Sequence, residues 1–91
     1  MKIILSKPYD FDGVTYTEFE ADLDALTGRD VVAAKREWAR QGNFSVMITA
    51  DAEFAAFLAA KAAKKPYEFF DNLPAKDYCR ISQEVINFLN S

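Results

Sequence analysis

The sequence predicts an α+β fold that is mainly α: an N-terminal β-hairpin followed by three helices and a short helical turn, in one domain spanning residues 1–91. Three observations carry this prediction. Asp12-Gly13, a pair tolerant of positive φ, stands between two stretches rich in aromatic and branched residues, the pattern of a two-residue hairpin loop. Thr27, and then Thr49 or Asp51, precede apolar residues at helical spacing, as N-cap residues do. Pro66 and Pro74 then divide the rest of the chain into a segment too short to be a stable helix alone and one long enough to be.

The hairpin covers residues 1–24. Centring its turn on Asp12-Gly13 opposes Phe11 with Val14, Tyr9 with Tyr16 and Lys7 with Glu18: apolar with apolar, aromatic with aromatic, plus with minus. A one-residue slip loses all three matches. Pro8 has no N–H for the ladder, so it must face an edge.

The first helix runs over 27–41. Thr27 and Asp30 have the spacing of a capping box, Leu26 and Val31 that of a hydrophobic staple, and Asp30 suits the positive end of the helix dipole. Val31, Ala34 and Trp38 line one face, and Gly42-Asn43 ends the helix. The following run, Phe44 to Ile48, reads equally as a short strand or an extended arm. The second helix covers 50–64, capped by Thr49 or Asp51, with Phe54, Phe57, Leu58 and Ala62 as its apolar stripe. Its alanines permit close helix approach, and Lys61, Lys64 and Lys65 at its end read as a solvated helix C-terminus in preference to a site for an acidic surface. The short turn covers 66–71. The third helix, 74–89, carries Tyr78, Ile81, Val85 and Leu89 on one stripe, which Ile86 and Phe88 widen beyond what one core face needs.

Composition narrows the function. Hydrophobic residues make up 51% and charged residues 27%, so the chain is neither disordered by composition nor membrane-like. No apolar run approaches the roughly 18 residues of a membrane span, and the N-terminal "MKIILSKPYD" is too short for a signal-peptide core, so a cytoplasmic setting is expected. The net charge of −3 argues against nucleic acid as the main partner. It is unevenly spread: residues 1–26 hold two lysines against six acids, whereas residues 27–91 hold nine bases against eight acids.

No catalytic constellation emerges, and no enzyme activity, cofactor or metal is expected. The chain has no histidine, which removes the commonest general base and metal ligand. Its one cysteine, Cys79, excludes an internal disulfide and reads as a small core or boundary residue. Asp10 with Asp12, and Asp22 with Asp24, are the candidate carboxylate pairs; the turn explains Asp12, and the others read as solvated surface. No calcium loop or phosphate-cradling glycine motif occurs.

What stands out is an apolar surplus. Eight phenylalanines, four tyrosines and one tryptophan exceed what a domain of this size readily hides. Among Phe44, Tyr67, Phe69, Phe70, Phe88 and Leu89, some are expected to stay exposed as a partner surface. For the aromatic turn two readings stand: it plugs one end of a three-helix core, or it is part of that surface. The client surface expected from this surplus is Phe69, Phe70, Ile86, Phe88 and Leu89.

The order of features resembles the tail assembly chaperones of long-tailed bacteriophages, particularly those of contractile-tailed, Mu-like and P2-like phages and related prophages. The resemblance lies in "FDGVTYTEFEADL", "ALTGRDVVAAKRE", "FLAAKAAKKPYEFFDNLPAKDY" and the terminal "VINFL", covering roughly residues 9 to 89. It implies a non-enzymatic binding role: holding the tape measure protein, a long helical apolar chain, soluble until tail tube subunits polymerise around it. The partners it implies are the tape measure protein and, secondarily, the tail tube protein, with self-association. The alternative is a small structural, oligomerising phage or prophage protein. The apolar run at Phe44–Ile48 lies outside what the resemblance implies, and reads as a second contact arm or part of a self-association surface.

Overall fold

A computed structural model describes residues 1–91. Its elements are β1 (Lys2–Phe11), β2 (Val14–Glu20), α1 (Gly28–Arg40), α2 (Ala52–Ala63), α3 (Tyr67–Asp71) and α4 (Ala75–Leu89). Single 3₁₀ turns at Leu23–Ala25 and Ile48–Ala50 lead into α1 and α2. The architecture is the mainly helical α+β arrangement read from the sequence, with one two-stranded antiparallel sheet.

The hairpin turns at Asp12 (φ 51°) and Gly13 (φ 80°), the left-handed pair a tight two-residue turn requires. Near the turn the pairing is Phe11 with Val14, Asp10 with Thr15 and Tyr9 with Tyr16. Beyond Tyr9 the register shifts, so that Ile4 opposes Glu18 and Ile3 opposes Phe19. The expected Lys7–Glu18 pair is therefore not formed; Lys2 holds Glu18 at 3.1 Å instead. The cause lies in residues Leu5 to Pro8, which bulge out of the ladder against the single Thr17. Pro8 has no N–H to donate, and the N–H of Ser6 is drawn away to a side chain of α4.

Helix α1 starts on a complete capping box. Thr27 Oγ1 accepts from the Asp30 N–H at 3.3 Å, and Asp30 Oδ2 accepts from the Thr27 N–H at 2.8 Å. Ala34 and Trp38 are its buried residues, with Val31 half-buried beside them. Helix α2 is the centre of the molecule and touches α1, α3, α4 and both 3₁₀ turns. Asp51 caps it through the Phe54 N–H at 3.0 Å. All residues from Phe54 to Ala60 are buried, so the expected stripe is in fact a helix buried nearly all round. Its alanines make this workable, because neighbours pack against backbone rather than against bulky side chains.

Helix α2 ends with Lys64 in the left-handed conformation (φ 57°). The Lys65 N–H reaches the Ala60 carbonyl at 3.0 Å and the Lys64 N–H the Lys61 carbonyl at 3.2 Å, the paired bonds of a Schellman cap, and Pro66 blocks continuation.

The aromatic turn is a plug. Phe69 and Phe70 on α3 are both 0% exposed. The Phe69 ring stands edge-on to Tyr9, Phe11, Tyr16 and Phe19 of the hairpin at centroid separations of 5.1–5.2 Å. The Tyr9 hydroxyl donates to the Phe69 carbonyl at 2.8 Å. One side chain thereby holds both strands to the helical layer, each edge-to-face pair adding about 0.5–1.5 kcal/mol beyond area burial.

Candidate protein-binding surface

Two of the five residues expected at the client surface are thus placed in the core. Phe69 and Phe70 have no exposed area to offer, and the reason is geometric. A five-residue helix between two prolines cannot bury its rings against itself, so it turns them into the gap between hairpin and α2. Ile86, Phe88 and Leu89, near the end of α4, are half-buried, each resting on the core with part of its side chain outside.

The most exposed large apolar side chains lie elsewhere. Phe44 is 85% exposed, Val46 91% and Met47 62%. Their segment is neither a strand nor a helix, but an arm held at both ends. At one end Gly42 (φ 91°) breaks α1 and the Asn43 side chain donates to the Trp38 carbonyl at 3.1 Å. At the other, Ile48 dips back against the core and starts a 3₁₀ turn. Between these anchors the Met47 N–H donates to Ser45 Oγ at 3.3 Å, which curls the arm tip. The end of α4 lies alongside, since Asn90 Nδ2 donates to the Thr49 carbonyl just past the arm at 2.8 Å. Sequence reasoning places Phe44 among the candidates but does not single out Val46 or Met47. The available signal was a run of apolar residues after Gly42-Asn43 with neither helical nor strand period.

Several polar groups elsewhere tie the elements together. Asp77, 1% exposed, accepts from Ser6 and from Arg80 Nη2 at 3.3 Å. Burial pushes its carboxyl up, but the hydrogen bonds from Ser6 and Arg80 outweigh this and hold it below its ordinary value. The Tyr67 and Tyr78 hydroxyls meet at 2.8 Å, and burial pushes both above the usual tyrosine range. Lys61 pairs with Glu37 of α1 at 2.6 Å, and Lys65 lies over the Tyr16 ring, 4.5 Å from its centroid. Cys79, expected at the core or its boundary, is exposed, because Asp77, Ile81, Ser82 and Val85 define the buried side of α4 and residue 79 lies across the helix from them. A cleft of about 290 Å³ between α1 and α2 is floored by Ala33, Ala34 and Leu58. Its charged groups are already engaged, Asp30 in the cap and Glu37 with Lys61. No three His, Cys, Asp or Glu side chains cluster as metal ligands would, and no helix is long and apolar enough to cross a membrane.

The prominent surface feature of this small hairpin-plus-helices domain is thus an anchored apolar arm. The model of the family described as "Phage tail assembly chaperone proteins, E, or 41 or 14" matches residues 2–90. The chain belongs to that phage tail assembly chaperone family. No curated protein and no solved structure matches it.

Proposed function

We propose that this chain binds the tape measure protein in the bacterial host cytoplasm and keeps it soluble until the tail tube polymerises around it. The observation that carries the reading is the arm, which presents Phe44, Val46 and Met47 to solvent within a chain that belongs to the tail assembly chaperone family. Chaperoning needs affinity that can be released, and a shallow apolar patch suits that better than a deep pocket. Ile86, Phe88 and Leu89 extend the patch along the end of α4, where a helical client can lay its apolar face. The tail tube protein is the natural second partner, because it displaces the chaperone.

Co-expression with the cognate tape measure protein tests this. The wild-type chain is expected to move that protein into the soluble fraction. A Phe44→Ser, Val46→Ser, Met47→Ser variant is expected to lose this effect while melting within about 0.5 kcal/mol of wild type, since exposed side chains contribute little to stability. A client equally insoluble with and without the wild-type chain refutes the reading.

A further inference from the structure

We propose that the outward face of α1, continuous with the arm, docks an acidic amphipathic helix, and that this is the chemistry of the client segment; the proposal rests on the chaperone reading above. Arg29, Arg36 and Arg40 recur at i, i+7 and i+11, so they form one line along the solvent side of α1, opposite the buried Ala34 and Trp38. The line is about 16 Å long, from the helical rise of about 1.5 Å per residue. Beside it runs a seam of exposed Val32 and Ala39, with Lys35 on its far side. Lys35 and Ala39 share a cleft of about 130 Å³ with Phe44, which joins this face to the arm.

None of these four cations takes part in an ion pair. The acids of the same helix are committed elsewhere, Asp30 to its cap and Glu37 to Lys61. A chain of net charge −3 therefore lines up four cations that are in no ion pair on the solvent side of one helix, beside the exposed Val32 and Ala39. The complementary occupant has apolar residues for the seam and the arm, flanked by carboxylates for the arginines, whose planar guanidinium groups suit that pairing. Nucleic acid fits less well, because the apolar seam and arm would meet phosphate and sugar, and the hairpin end of the chain is acidic.

The test uses the intact chain and two synthetic amphipathic helical peptides with the same apolar face, one flanked by glutamates and one by lysines. Titration calorimetry is expected to show the glutamate peptide binding at least about tenfold tighter, with the difference shrinking at high salt. An Arg29→Glu, Arg36→Glu, Arg40→Glu variant with an unchanged melting curve is expected to reverse the preference. Equal affinity for the two peptides overturns the proposal, as does a reversed-charge variant that binds like wild type. Displacement of the glutamate peptide by a short DNA duplex assigns the face to nucleic acid. A dimer mass that the arginine changes abolish assigns it to a second copy. Either result also overturns the proposal. A tape measure protein solubilised equally by wild type and by the arginine variant refutes this proposal alone, whereas one that wild type cannot solubilise refutes the chaperone reading.

Discussion

Asp77 on the first turn of α4 accepts both the backbone N–H of Ser6 (3.2 Å) and its hydroxyl (2.9 Å), although 71 positions separate the two residues. Arg80, one turn on, donates to the Ile4 carbonyl. The outer edge of β1 would otherwise present unpaired backbone groups to any passing strand. Here two side chains of a helix close it, and they do so beside the bulge that draws β1 out of register.

Asp77→Ala leaves the Ser6 groups without their acceptor and removes one of the acceptors of Arg80, which keeps the Ile4 carbonyl and Glu84. It is expected to cost about 2 kcal/mol in chemical denaturation, as loss of the acceptor of several charge-assisted hydrogen bonds does. The carboxyl titrates lower when folded than when unfolded, so its contribution is complete above the ordinary carboxylate value of about 4 and disappears as pH falls through the folded value. Wild type is therefore expected to lose stability more steeply than Asp77→Asn between about pH 5 and pH 2. Parallel acid profiles would show that Asp77 does not carry this dependence.

Phe69→Ala removes the ring on which both strands meet. The expected loss is about 4 kcal/mol, in the range for a fully buried phenylalanine, against less than about 0.5 kcal/mol for a surface position. Urea unfolding of the variant separates the two.

Ser82 is 1% exposed on α4, and its hydroxyl has no hydrogen-bond partner. An unpaired buried hydroxyl is unfavourable, so Ser82→Ala is expected to raise stability by about 1 kcal/mol. A decrease on the same measurement would mean that the hydroxyl bonds a carbonyl or a water.

Lys64 occupies the left-handed position of the cap that ends α2. Glycine has no Cβ to strain there, so Lys64→Gly is expected to add about 0.5–1 kcal/mol. Lys64→Val, with a branched Cβ, is expected to lower the melting temperature. If both changes act in the same direction, the cap conformation is not what governs this site.

Local chemistry alone determined the hairpin turn, the Thr27–Asp30 cap and the breaks at the prolines, and narrowed the next N-cap to Thr49 or Asp51, because each depends on backbone preferences within four or five residues. The family was likewise legible from the order of these pieces. Tertiary structure decided which apolar residues face inward. Phe69 and Phe70 became core because the hairpin lies across α3, a contact between residues some fifty to sixty positions apart that no local period reveals. Phe44, Val46 and Met47 stayed outside because Asn43 and Ile48 anchor the arm at its two ends. The register of β1 followed from an acceptor on α4, beyond the reach of any pairing rule applied to the hairpin by itself. Burial depends on what the rest of the chain brings to a side chain, and in this protein that separates a structural aromatic from a binding one.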